Sequence, residues 1–236
     1  MLPLLVTLVA LLLLGFGLLR VLKARPRYTF YALIAMAIPA GAFIALVGVY
    51  SMPAGSMEPT VKVGDYFVVN KMAYSTRAPW FGIRLGTFAT PQRGDVIVFE
   101  FPSDRAVIHL KRVIGVPGDR IVYTTAKQLY INDELIPDMA AGEARAGLIQ
   151  GKVLEERIGQ ARFSIQQLEG LNRQWPTKSW VVPAGHYFVM GDNRDNSNDS
   201  RYWDDEAIAP ELRAMVPEEN ILGKAVFLPL KLSRVH

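Results

Sequence analysis

Ser56 stands between Gly55 and Met57 in the run Met52-Pro53-Ala54-Gly55-Ser56-Met57-Glu58-Pro59-Thr60, six residues past the uncharged stretch Tyr28–Tyr50. A serine hydroxyl is a weak nucleophile until a neighbouring base takes its proton. The chain has no cysteine, so a thiol nucleophile, a disulfide and a Cys-ligated zinc are all excluded. Three histidines compete for the role of base. His236 is the last residue, where order is least expected. His109 and His186 lie in apolar strand contexts, and no clear Gly-x-Ser-x-Gly elbow accompanies them. A Ser-His-Asp arrangement is disfavoured.

Lys111 is the better candidate. It sits in Val107-Ile108-His109-Leu110-Lys111-Arg112-Val113-Ile114-Gly115, which reads as a strand and is otherwise largely apolar. By alternation Val107, His109, Lys111 and Val113 share one face, and Ile108, Leu110, Arg112 and Ile114 the other. One of the two cations then projects from an apolar neighbourhood. Burial disfavours the charged ammonium, and a neutral amine can accept a serine proton. From periodicity alone an edge strand with two solvated cations is the more ordinary reading. A third unusual stretch, Gly191-Asp192-Asn193-Arg194-Asp195-Asn196-Ser197-Asn198-Asp199-Ser200-Arg201, is almost wholly polar and reads as a loop organised by side-chain hydrogen bonds. Asp195, Ser197, Asp199 and Glu206 match the spacing of a calcium loop. Ser200 occupies the place of that loop's required glycine, however, and no amphipathic helices flank it, so no metal is expected.

These residues need elements to position them. Residues 1–50 carry Arg20, Lys23, Arg25 and Arg27 and no acid. Without those four, 22 basic residues face 22 acidic ones, so the body is formally neutral. A nucleic-acid binder carries its positive charge on the folded domain, and nucleic acid is not an expected partner. Leu2–Leu19 would run about 27 Å as a helix and Tyr28–Tyr50 about 34 Å, each enough to cross a bilayer. The basic loop Arg20–Arg27 follows the first run, whereas a cleaved signal peptide carries its charges before it. The expectation is two transmembrane helices, 1–19 and 28–50, with the 20–27 loop cytoplasmic and the body outside. Beyond Ser51, short runs rich in Val, Ile, Tyr and Phe alternate with turn signals and read as strands. The clearest are Tyr66–Asn70, Asp95–Phe101, Val107–Ile114, Arg120–Tyr123, Gln128–Asn132, Tyr187–Met190 and Ala225–Leu228. Gly-Asp at 64–65, 94–95 and 118–119 reads as tight turns. The expected fold is mainly β, antiparallel and barrel-like. Residues 137–178 break the rhythm and read as an inserted lobe between core segments 51–136 and 179–236, with a short helix near Ser164–Asn172.

Taken together, Pro53–Thr60, Lys111-Arg112-Val113-Ile114-Gly115-Val116-Pro117-Gly118-Asp119 and Gly191–Arg201, with Gly94–Phe99 between them, closely resemble the bacterial type I signal peptidases. These are membrane-bound Ser-Lys proteases that cleave secretory signal peptides. The resemblance covers most of the chain outside Pro137–Lys178, and three motifs in order make it specific. It implies that Ser56 is the acylated nucleophile and Lys111 the general base. By the same resemblance Ser197 hydrogen-bonds and orients the lysine amine, Asp199 and Arg201 form a supporting ion pair, and the backbone N–H of Ser56 binds the oxyanion. Met52, Met57, Val61 and Leu110 fall where shallow apolar subsites for small residues would be lined. No cofactor is implied. The implied partners are signal peptides of exported preproteins, the lipid bilayer and secretion machinery, with the catalytic domain on the outer face of the bacterial cytoplasmic membrane. The implied core is antiparallel β with an inserted, smaller β-rich lobe. One departure stands out: many family members have serine two places before the nucleophile as a second oxyanion donor, and this chain has Ala54. Two rivals remain. One is a specialised Ser-Lys peptidase dedicated to one secretion or conjugation substrate, and the other an inactive membrane-tethered scaffold.

Overall fold

The computed structural model describes residues 31, 33–37, 41, 46–77, 84–87, 89–146, 149–169 and 176–226. The chain divides into two units, Met1–Val47 and Gly48–His236. In the first, residues 33–37 are helical. The expected span Leu2–Leu19 and loop Arg20–Arg27 lie outside the described residues, as does much of Tyr28–Tyr50. No helix among the described residues is long and apolar enough to cross a membrane. The expected end of the second span is corrected. Val47–Ser51 is a strand, its alternating valines and Tyr50 suiting a pleated, half-buried surface better than a helix.

In chain order the strands are β1 (Val47–Ser51), β2 (Tyr66–Asn70), β3 (Ser75–Arg77), β4 (Arg84–Thr87), β5 (Val96–Phe101), β6 (Asp104–Gly115), β7 (Arg120–Tyr123) and β8 (Leu129–Ile131). There follow β9 (Glu134–Leu135), β10 (Asp138–Ala146), β11 (Ile149–Ile158), β12 (Ala161–Leu168), β13 (Lys178–Val181), β14 (His186–Met190), β15 (Val216–Pro217) and β16 (Ile221–Val226). The fold is mainly β. A seven-stranded sheet has the order β1-β2-β16-β5-β6-β14-β15, and smaller sheets are formed by β13-β7-β8-β9, β10-β11-β12 and β3-β4. Gly94 and Gly118, with φ of 91° and 90°, make the turns before β5 and β7, where a residue with a Cβ would be strained.

β6 carries Lys111 through the middle of the large sheet. It lies between β5 and β14, with Ile97 opposite Lys111, and both Val96 and Met190 opposite Arg112. It is therefore not an edge strand. Its first five residues are exposed and its last six buried, so Lys111 and Arg112 enter the interior together.

The segment 137–178 holds more strand than its sequence suggests. β10, β11 and β12 form an antiparallel sheet, and Ser164–Leu168, expected to be helical, belongs to β12. Pairing of Leu154 with Ile165 and Glu156 with Phe163 overrides the helix propensity of Gln166-Gln167-Leu168-Glu169. Leu154, Ile158, Phe163 and Ile165 share one apolar cluster with Ile114, Ile121, Phe188 and Met190. At about 1.5–3 kcal/mol for each buried side chain, these four fasten the inserted sheet to the core. They make it part of one hydrophobic body.

Candidate active site

Ser56 lies in a 3-10 turn, Gly55–Met57, directly after the extended Ala54. At the start of such a turn its N–H has no preceding turn to bond to. The turn is held from outside by the Gly191–Arg201 loop. Asn193 donates its backbone N–H to the Ser56 carbonyl at 3.1 Å and its Nδ2 to the Gly55 carbonyl at 3.0 Å. Gly191 is the closest approach: a Cβ there would stand 2.3 Å from Ser197 Oγ and 2.5 Å from the Ser56 carbonyl oxygen. Only glycine fits.

Lys111 and Ser56 meet. Nζ donates to Ser56 Oγ at 2.9 Å and to the Leu110 carbonyl at 3.1 Å. Lys111 is 4% exposed, and burial pushes its pKa down to about 8; Asp199 and Asp192 pull it up, and Arg201 pushes it down. The amine is thus poised to lose its proton near neutrality while touching the hydroxyl it would deprotonate.

Asp199 and Arg201 form the expected pair, Nε donating to Oδ1 and Nη2 to Oδ2, both at 2.9 Å. Burial raises the Asp199 carboxyl, but Arg201 and the Gly191 N–H, bonded to Oδ2 at 2.9 Å, hold it below the usual carboxylate range. Arg201 also lies over the Tyr123 ring at 4.9 Å. Ser197 is 1% exposed and lines the same cleft as Ser56 and Lys111. Its Oγ stands near Asp199 and makes no well-aligned hydrogen bond among the described residues. The expected bond from Ser197 to the lysine amine is replaced here by the Leu110 carbonyl. Two of the four residues with calcium-like spacing are engaged in ion pairs: Asp195 accepts from Lys127 at 2.9 Å and Asp199 from Arg201.

The site opens into a cleft of about 540 Å³. Met52 and Leu110 line it, together with Tyr50, Ala54, Phe67 and Ile108. Met57 and Val61, expected on its wall, are 0% and 2% exposed and lie in the apolar cluster behind it with Met52 and Leu110. His109 also lines the cleft, its ring stacked on Phe101 at 4.9 Å. Burial, aided by the Lys111 cation, pushes its pKa down to about 4, so it is neutral. His186 Nδ1 instead meets the Ala184 carbonyl at 2.9 Å.

Three contributors escaped sequence reasoning. Asn193 clamps the Gly55–Met57 turn. Arg112, buried beside Lys111, donates to Asp192 through Nε at 2.7 Å and Nη2 at 2.5 Å, and lies over the Phe163 ring at 3.9 Å. Thr60 donates to the same Asp192 carboxylate. Arg112 directly after Lys111 in an apolar strand was the available signal. Its partner lay 80 residues away in a loop that is almost wholly polar, so nothing local singled out Asp192.

A profile of the family described as "Signal peptidase, peptidase S26" matches residues 25–229. The chain is similar to signal peptidase I of Pseudomonas aeruginosa, 47% identical over 180 residues, covering 76% of this chain and 63% of that protein. Signal peptidase I of Pseudomonas fluorescens matches with the same identity and coverage. The chain thus spans 63% of the length of these relatives. A crystal structure of a signal peptidase I from Enterococcus faecalis aligns over 58% of this chain and 98% of that chain, with 27% identity and a TM-score of 0.33.

Proposed function

The chain belongs to the signal peptidase family, peptidase S26, and on that footing we propose that it is a membrane-bound serine endopeptidase that removes N-terminal signal peptides from exported preproteins. The observation that carries the mechanism is the 2.9 Å contact between a buried Lys111 amine and Ser56 Oγ. The neutral amine takes the hydroxyl proton as Oγ attacks the scissile carbonyl carbon. The Ser56 N–H faces the oxygen that becomes negative. The resulting ammonium returns its proton to the leaving amine as the peptide bond breaks, leaving an ester on Ser56. Water, deprotonated by the same amine, then releases the acid and restores the hydroxyl. Ser197, which lines the same cleft, is the hydroxyl available to the amine once Oγ is committed to substrate, and Asp199–Arg201 supports both from behind.

The shallow apolar cleft bounded by Met52 and Leu110 suits small side chains before the cleaved bond. The two predicted bilayer crossings, with the basic loop between them, support catalysis on the outer face of the bacterial cytoplasmic membrane. Signal peptides, lipid and secretion machinery are the corresponding partners. Ala54 leaves the second oxyanion position without a side-chain donor.

The test is cleavage of a panel of preproteins by the detergent-solubilised chain. Ser56→Ala and Lys111→Ala each abolish cleavage in a folded protein, and the double variant is no worse than either, because members of one catalytic unit are not additive. Lys111→Ala retaining more than about a tenth of the rate would overturn the dyad. Cleavage of a single member of the panel would favour a dedicated peptidase.

A further inference from the structure

Glu156 lies on β11 of the inserted sheet and is 3% exposed. It grips Arg194, itself 1% exposed, with both oxygens: Nη1 donates to Oε1 at 2.5 Å and Nη2 donates to Oε2. A charge pair this deep exists only because each partner compensates the other. From Arg194 the contacts run to both halves of the dyad. Its N–H donates to the Gln166 carbonyl on β12 at 2.9 Å, and Gln166 returns its own N–H to the Asp192 carbonyl at 2.8 Å. The Arg194 carbonyl accepts from Arg201 Nη2 at 2.7 Å, and Arg201 holds Asp199. On its other side the adjacent Asn193 clamps the Gly55 and Ser56 carbonyls. One ion pair anchored in the inserted sheet therefore fixes the residue between the nucleophile's clamp and the carboxylate facing the base.

We propose that Glu156 is a positioning residue for the Ser56–Lys111 dyad, acting from the inserted sheet through Arg194 on the Gly191–Arg201 loop. This rests on the Ser56–Lys111 mechanism and not on the identity of the peptide cleaved. The charged and titratable groups facing Lys111 are Asp199, Asp192 and Arg201 from the loop and His109 on its own strand. Without the Glu156–Arg194 pair the loop loses its tie to β11, and Arg201, held by the Arg194 carbonyl, is free to carry Asp199 away from Lys111. The carboxylate is drawn off the lysine, the amine loses its proton at lower pH, and the nucleophile turn loses its register. A role confined to folding would lower the yield of folded protein without moving the pH at which that protein titrates.

The experiment uses the full chain in detergent as wild type, Glu156→Gln and Glu156→Leu/Arg194→Met. The double variant removes both charges while filling their volume, a change that buried pairs commonly tolerate in the fold. Glu155→Gln is the control, since that residue is only half-buried and pairs, at 3.3 Å, with the exposed Arg162 on the same sheet. Two reactions are followed against pH: acylation of Ser56 by p-nitrophenyl acetate, and preprotein cleavage. In both Glu156 variants the acylation rate falls about tenfold or more and its acidic limb moves to lower pH, while kcat for cleavage falls with KM little changed. Glu155→Gln matches wild type. Wild-type rate and limb in the folded double variant would overturn the proposal and leave Glu156 a purely structural role. If the wild-type ester reaction proceeds but no preprotein is cut, the substrate reading fails while the acylation arm still decides this inference. A wild-type chain whose Ser56 is not acylated sinks both the dyad and the inference.

Discussion

Lys111 is under two opposed pulls, and its reactivity depends on which is larger. Burial strips water from the ammonium and lowers its pKa, whereas the Asp199 and Asp192 carboxylates favour the charged form. Burial wins, leaving a value of about 8 against about 10.4 for a free lysine. The sign of the pH dependence follows: below this value the amine is protonated and has no lone pair for the serine proton, and above it the base is present. The expected profile of kcat/KM rises with unit slope on the acidic side and levels near pH 8. Measured on a preprotein over a broad buffer series, a limb remaining near the free-lysine value would mean a solvated lysine. His109 titrates far below this range and does not contribute a second limb near neutrality. Ser197 and Asp199 were recognisable as site residues from their motif, but the Ser197 partner was not, because a hydroxyl's bond depends on ångström-scale placement that no spacing encodes.

At the level of elements, the site is a joint between the 3-10 turn, β6 and the Gly191–Arg201 loop, and Gly191 is where they come closest. Gly191→Ala would drive a methyl into Ser197 Oγ and the Ser56 carbonyl, so backbone must shift. Activity should fall on the order of 10²-fold, the usual result of misplacing reacting groups by about 1 Å, with thermal unfolding displaced by only a few degrees, about 1 kcal/mol. Parallel rate and melting measurements check this, and an unchanged rate would mean the turn has slack. Legibility in the sequence varied by element for physical reasons. β2 and β7 could be bounded to the residue because apolar side chains alternate beside turn glycines. β10 is mostly small and charged, Asp138-Met139-Ala140-Ala141-Gly142-Glu143 being exposed along its length, so its pairing with β11 left no hydrophobic pattern to read. β12 hid behind helix-forming glutamines whose extended shape is imposed by β11. The solvated-cation reading of β6 failed because burial there comes from β5, β14 and the inserted sheet, and all but β5 are remote in sequence.

For the whole molecule, the basic loop Arg20–Arg27 and the two apolar runs around it set an expected orientation. A reporter fused after His236 should be active only outside the cytoplasm, and one inserted in the loop only inside it. An active cytoplasmic fusion at the C-terminus would sink the signal-peptide proposal, since the scissile bond emerges on the outer face. The order of strands adds a consequence in time. β16, the last described strand, is inserted between β2 and β5, with Lys224 opposite both Asn70 and Ile97. It therefore stitches the half of the sheet that flanks the Ser56 turn to the half that carries Lys111. A chain still being synthesised lacks that stitch, and pairings this distant in sequence close slowly even when the chain is complete. The proposed activity would consequently be withheld at first: Ser56 and Lys111 are both synthesised well before β16, the strand that unites their halves of the sheet.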